Sequence, residues 1–172
     1  TKASSNYGID KNGRIGLYVE EKNRSWCTSS NANDQRAVTI ECASDKEEPY
    51  AMHQVVYDRL VDLCEDICRR NGKKKLLWFG DKNKSLNYQP KADEMLITVH
   101  RWFANKSCPG DWLYARLGDL AAKVTSRLGS GNVEMISSGM QAGEFQGLTE
   151  EQVLAKVGPL FTADQKKSGI LA

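Results

Sequence analysis

The chain has 172 residues, with 24 basic and 22 acidic side chains and a formal net charge of +2. This length supports one folded domain with residues to spare, and the balanced charge gives no indication of a nucleic-acid partner. No apolar run approaches the roughly 20 residues of a membrane span, and no signal peptide is recognisable, so we expect no membrane partner. The five cysteines lack the spacing of a disulfide scaffold, which is typical of free thiols made in a reducing compartment.

The first part of the chain alternates extended and polar segments. An Asn-Gly turn between alternating residues predicts a hairpin over residues 7–19, and β-branched residues predict a strand over residues 37–43. Glu41, a carboxylate near the end of that apolar strand, indicates either an edge strand or a functional site. In the polar loop of residues 20–34, Trp26 is either a substrate-stacking surface or part of a lid packed on its own sheet.

The second part predicts helices and buried strands. We expect a helix over residues 50–70, strands over 76–79 and 95–99, and a second helix over 111–128. Cys64 and Cys68 share the apolar side of the first helix and are predicted to be core residues.

Beyond the second helix, the pattern changes. Residues 129–147 are rich in Gly and Ser, which predicts a flexible linker, and helical periodicity resumes over residues 148–172. About 25 residues cannot close a core of their own, so we expect this tail to open a second domain.

Two potential metal ligands lie around the end of the strand at 95–99. His100 follows this strand, and Cys108 lies eight residues later in a Cys-Pro-Gly turn. Imidazole and thiolate are good zinc ligands, and catalytic zinc usually takes three protein ligands. From spacing alone, however, such a pair is more often a polar loop residue and a buried small hydrophobe.

Three phrases of the chain resemble a known family. Residues 5–9 (SNYGI), 36–41 (RAVTIE) and 98–111 (THRWFANKSCPGD) occur in the order found in type-2 N-acetylmuramoyl-L-alanine amidases, which have the peptidoglycan-recognition-protein fold. The resemblance covers about residues 4–128 and is greatest to clostridial phage or prophage endolysins. It implies an α/β fold in which a mixed central β-sheet is flanked by helices.

The resemblance also implies roles for individual residues. His100 and Cys108 match two of the three zinc ligands, and Lys106 matches the lysine that stabilises the oxyanion. Glu41 matches a glutamate that serves as general base in some members, and Tyr7 falls where other members carry a tyrosine near the zinc-bound water. Weaker candidates for the groove that holds glycan and peptide are Trp26, Arg101 and Trp102.

The chain departs from the family pattern at its beginning. The family's first zinc histidine lies on a strand that would precede Thr1, so we expect an N-terminally incomplete amidase domain over residues 1–128, missing its first strand. His53 cannot replace that histidine, because the pattern puts it on the outer helix. The tail at 148–172 resembles the entry to an endo-β-N-acetylglucosaminidase domain.

The leading hypothesis is therefore a zinc-dependent hydrolase that cuts the amide between N-acetylmuramic acid and L-alanine in bacterial peptidoglycan. It would be made in the bacterial cytoplasm and act on the cell wall after release during phage lysis, or be secreted. The alternatives are a metal-free peptidoglycan-binding module, an inactive fragment of a longer lytic enzyme, or a cytosolic α/β protein whose His-Cys pair is incidental.

Overall fold

The computed structural model of the protein describes residues 3–129. Within them lie five short strands, five α-helices and one turn of 3₁₀ helix at His100–Trp102. The strands are β1 Tyr7–Ile9, β2 Ile15–Leu17, β3 Ile40–Cys42, β4 Lys75–Leu77 and β5 Glu94–Leu96. The helices are α1 Asn31–Asp34, α2 Gln54–Arg70, α3 Lys82–Asn87, α4 Asp111–Tyr114 and α5 Leu117–Gly129. The predicted linker after Gly129 and the predicted second domain lie outside the described residues.

The first three strands form one mixed sheet with β1 in its centre. β1 pairs antiparallel with β2 and parallel with β3, and Gly8 of β1 is the register partner of both Gly16 and Glu41. Register partners on neighbouring strands point to the same face of a sheet. Gly16, Gly8 and Glu41 therefore form one row across one face, while Tyr7 and Ile9 point to the other.

A second sheet carries the segment that leads to His100. β4 and β5 pair in parallel, and the N–H of Ile97 extends the pairing by donating to the carbonyl of Leu77. The sequence led us to expect a single mixed central sheet. Within residues 3–129 the five strands instead form two separate sheets, because β3 pairs only with β1 and β4 pairs only with β5.

The core lies where α2 and α5 pack on each other and on the strands. Ile9 from β1 is buried with Val56 and Leu60 of α2 and with Leu120 of α5. The predicted core role of the two helical cysteines is confirmed, since Cys68 is fully buried and Cys64 packs against the same cluster. All five cysteines are free thiols. No described helix is long and apolar enough to cross a membrane.

Several element boundaries differ from the sequence prediction. α2 begins at Gln54, so His53 is its N-cap residue and lies just before the first turn. The predicted helix over residues 111–128 is two helices, α4 and α5. Gly110, whose φ is +84°, is the N-cap residue of α4. The short helices α1 and α3 were not predicted.

Candidate active site

Glu41 is exposed on the edge strand β3, on the sheet face opposite to buried Ile9. Its carboxylate accepts a hydrogen bond from the thiol of Cys27, with 3.3 Å between Sγ and Oε1. Because β3 is an edge strand, the Glu41 carboxylate is exposed to solvent. This exposure explains why a charged residue is tolerated on an otherwise apolar strand. An exposed carboxylate at this place is able to accept a proton from a bound water.

His100 opens the 3₁₀ helix that follows β5, and its side chain is half-buried. The hydroxyl of Ser29 lies 3.0 Å from Nε2 of His100. Ser29 has a φ of +60°, an uncommon conformation for a residue with a side chain. Residues Cys27, Thr28 and Ser29, the 27–29 loop, therefore contact Glu41 at one end and His100 at the other.

A buried aspartate holds the 27–29 loop in place. The carboxylate of Asp34 accepts from the backbone N–H groups of Cys27 and Thr28, at 3.2 and 3.1 Å, and from the Thr28 hydroxyl at 2.6 Å. Asp34 belongs to α1, which begins after Ser30, whose side chain accepts from the N–H of Asn33 as an N-cap. Sequence reasoning missed Cys27, Ser29 and Asp34, and the Ser-x-x-Asn cap was the available signal.

The same helix is tied to the segment that carries His100. The amide oxygen of Asn33 accepts a hydrogen bond from the hydroxyl of Thr98, at 3.0 Å. Its amide nitrogen donates to the hydroxyl of Thr28, at 3.2 Å. The buried side chain of Asn33 thus links the 27–29 loop to the segment between β5 and His100.

Cys108 lies close enough to Glu41 to respond to its charge. Burial and the Glu41 carboxylate raise the pKa of the Cys108 thiol to about 11, against an opposing effect of the Arg101 guanidinium. Burial, Glu41 and Asp34 raise the pKa of Cys27 to about 12. Both thiols are therefore protonated near neutral pH, so Cys27 is the donor in its bond to Glu41.

Arg101 braces the loop that carries Cys108. Its guanidinium forms an ion pair with Asp111 at 2.9 Å, donates to the carbonyl of Ser107 and lies 4.8 Å above the ring centre of Tyr114. Its backbone N–H donates to the carbonyl of Cys108 at 3.0 Å. These contacts occupy the side chain, so the arrangement gives Arg101 a positioning role in place of the expected contact with substrate.

Lys106 lies at the exposed tip of this braced loop, two residues before Cys108. Its backbone N–H donates to the carbonyl of Ala104, at 2.9 Å. The turn presents the lysine to solvent, where its ammonium is available to an anionic group.

The two predicted site tryptophans differ in their placement. Trp26 is 61% exposed, and the guanidinium of Arg24 covers its ring at 3.8 Å. Trp102 is a correction to our prediction, because it is 5% exposed and stacks on Trp78 with ring centres 5.1 Å apart. A buried ring of this kind contributes to the core and cannot line a groove.

Tyr7 is not brought together with the other site residues. Its hydroxyl donates to Glu21 at 2.7 Å and accepts from Arg70 of α2 at 3.4 Å. Gly8 is the register partner of Glu41, and successive residues of a strand point to opposite faces of the sheet. The side chain of Tyr7, the neighbour of Gly8, therefore points to the face opposite to Glu41. This position gives it a structural role between β1 and α2.

The described residues do not make up a complete zinc site. His100 and Cys108 are suitable donor types, but zinc in an active site usually takes three protein ligands. Among residues 3–129, no group of three or more His, Cys, Asp or Glu side chains is arranged to hold a metal ion.

The site thus combines a solvent-exposed carboxylate, a half-buried histidine, a half-buried thiol and an exposed lysine two residues from that thiol, which are residue types found in hydrolase active sites. The sequence model of the N-acetylmuramoyl-L-alanine amidase family matches residues 1–111. The chain belongs to this family, and it is an enzyme whose substrate class is bacterial peptidoglycan. Comparisons with curated proteins and with solved structures gave no match.

Proposed function

We propose that the chain hydrolyses the amide between N-acetylmuramic acid and L-alanine, with Glu41 as general base and Lys106 as the oxyanion-stabilising cation. The observation that carries the proposal is the 27–29 loop, which contacts Glu41 through Cys27 and His100 through Ser29. A loop that connects these two side chains keeps them at fixed positions on one side of the domain, as a reaction centre requires.

Each proposed role follows from the chemistry of its residue. Glu41 is exposed and ready to orient a water molecule and to accept its proton as the water attacks the amide carbon. The negative charge that develops on the amide oxygen would be stabilised by the ammonium of Lys106. Arg101 holds the loop of Lys106 on its C-terminal side, through Ser107 and Asp111.

The zinc dependence implied by the family resemblance stays a prediction. His100 and Cys108 alone fall short of the usual three ligands, and their donor types agree with zinc. Elemental analysis of the purified full chain, with its intact mass measured on the same sample, tests it. About one zinc per chain would support the prediction, and a metal-free chain that cleaves substrate would remove it.

The test of the proposed reaction is a digestion of purified peptidoglycan by the full chain. New amino groups of alanine are expected, without new reducing sugar ends, and Glu41→Gln is expected to abolish their release. Lys106→Met is expected to lower kcat more than it changes KM, because the oxyanion exists only in the transition state. Release of reducing ends in place of amino groups would overturn the proposal.

A metal-free peptidoglycan-binding module is the second candidate, and the lack of a three-ligand group among residues 3–129 favours it. It predicts that the chain is retained on purified cell walls and releases no amino groups. If the amidase proposal holds, we propose that the protein acts on the wall as an endolysin after release from the cytoplasm or as a secreted autolysin. Lysis of bacteria by externally added protein, compared with lysis after expression inside the cell, tests this placement.

A further inference from the structure

Tyr18 is an exposed aromatic residue that the proposed mechanism does not use. It follows β2 directly, its backbone N–H donates to the carbonyl of Asn6, and 70% of the residue is exposed to solvent. Tyr18 is therefore the most exposed of the large hydrophobic residues in the described domain, although its backbone is fixed to the three-stranded sheet. An exposed aromatic ring on a fixed strand end suggests a binding role.

Two glycines allow the ring of Tyr18 to lie on this sheet. A Cβ atom at Gly8 would come within 2.4 Å of Cε2 and 2.7 Å of the hydroxyl oxygen of Tyr18. At Gly16 a Cβ would lie 3.1 Å from Cε1 of the same ring. The ring thus covers the backbone where β1 and β2 pair, and any larger residue at Gly8 would displace it.

The ring lies on the same sheet face as Glu41. Gly8, under the ring, is the direct register partner of Glu41, and the two strands are about 4.8 Å apart. The phenol end of the ring, with Cε1, Cε2, Cζ and the hydroxyl, lies over the two glycines, and 70% of the residue is exposed, which leaves ring surface open to solvent. An open aromatic face therefore lies beside the carboxylate that we propose as the base.

The chemistry of this place favours a sugar over a peptide. β1, the strand under the ring, is paired on both sides, so a peptide lying over the ring could not add to β1 as a further strand; the free edges of this sheet belong to β2 and β3. A flat aromatic face instead presents the negative side of its π system, which attracts the weakly positive C–H groups on the apolar face of a pyranose ring. The substrate of the proposed reaction carries a sugar on one side of the scissile amide.

We infer that Tyr18 is a substrate-binding residue that stacks on a saccharide ring of the glycan next to the scissile amide, and that Gly8 is the positioning residue that seats it. The inference rests on the proposed function, because that function supplies the sugar on one side of Glu41. It assigns the glycan to the β1–β2 side of Glu41.

The experiment measures binding to the full chain carrying Glu41→Gln, which separates binding from cleavage. Three probes are used: a disaccharide with its stem peptide, the same disaccharide without peptide, and the stem peptide alone. Tyr18→Ala is expected to weaken the two sugar probes by about tenfold and to leave the peptide unchanged. Tyr18→Phe keeps the ring, and Leu17→Ala removes an exposed neighbour on the other face, so both are expected to bind as the parent does.

Gly8→Ala provides a second, independent variant. Its φ lies outside the left-handed region and its three nearest neighbour atoms all belong to Tyr18, so the new methyl group is expected to move the ring while the strand stays intact. It should weaken sugar binding as Tyr18→Ala does, and it should have no further effect when combined with Tyr18→Ala. Additive losses would overturn its positioning role.

Other outcomes refute the inference directly. Failure of the sugar probes to bind the parent chain, unchanged sugar affinity in Tyr18→Ala, or an equal loss for the peptide alone would each overturn it. Its failure is distinguishable from failure of the proposed function. A chain that binds sugar through Tyr18 and releases no alanine amino groups would refute only the amidase reaction, and a chain that cleaves normally without Tyr18 would refute only this inference.

Discussion

Replacing Cys27 by alanine removes the one side chain that donates a hydrogen bond to Glu41 in the described domain. A hydrogen bond to a charged group contributes about 1.5–3 kcal/mol, and a thiol is a weak donor. For a sulfur–oxygen distance of 3.3 Å on an exposed carboxylate, we take about 1 kcal/mol. If Glu41 is the base, this loss corresponds to about fivefold in kcat/KM.

The assay is the release of alanine amino groups from a soluble muramoyl peptide. We expect Cys27→Ala to lower kcat with KM nearly unchanged, because the bond positions the base and does not touch the substrate. Cys27→Ser retains a donor and should recover part of the rate. Urea denaturation of both variants controls for a general loss of stability.

Two outcomes would refute this reasoning. Full activity of Cys27→Ala would mean that the thiol does not position Glu41. An equal loss in Cys27→Ser and Cys27→Ala, with unfolding free energies unchanged, would mean that the hydrogen bond is not what the thiol contributes.

Three further predictions concern the scaffold of the site. The side-chain amide of Asn6 accepts hydrogen bonds from the N–H and the hydroxyl of Thr39 and donates to three loop carbonyls. Asn6→Ala removes all of these bonds and should lower the unfolding free energy, measured in urea, by about 3 kcal/mol; a loss below about 1 kcal/mol would contradict this. Hydrogen bonds from an arginine of α2 hold the pKa of Glu21 below its usual 4.5, so its stabilisation is present above pH 4.5 and lost as the pH falls through the folded-state value. The stability difference between the parent and Glu21→Gln should therefore shrink below pH 4.5, and a constant difference would count against the ion pair. Gly110→Ala should destabilise more than Gly72→Ala, because both have positive φ but only the first brings a Cβ within 2.7 Å of another atom; equal losses by thermal unfolding would refute the steric argument.

The sequence predicted the parts of the site that have strong local patterns. The Asn-Gly turn and the β-branched run located β1, β2 and β3, and with them the position of Glu41. His100 and Cys108 were singled out as zinc-donor types around the end of a predicted strand and then matched by the family phrases, and the structure places Cys108 within the electrostatic influence of Glu41. Their roles as metal ligands stay predictions.

Other features depend on contacts between residues distant in the chain. The bonds of Asp34 to the 27–29 loop and of Ser29 to His100 leave no periodic signal, and α1 is too short for its hydrophobic pattern to be recognised. A tryptophan next to an arginine is typical of a binding surface in sequence. That Trp102 is instead buried is seen only in the folded chain, where it stacks on Trp78 directly after β4. Short polar helices and aromatic residues after a strand are therefore where a sequence interpretation of this chain is weakest.

The most direct test of the account is the digestion of purified peptidoglycan by the full chain and by Glu41→Gln, with free alanine amino groups measured over time. The account predicts their steady release by the parent chain, no release by Glu41→Gln, and equal retention of both proteins on the wall. Undiminished release by Glu41→Gln would contradict the central role of Glu41, and reducing sugar ends in place of amino groups would contradict amide hydrolysis itself.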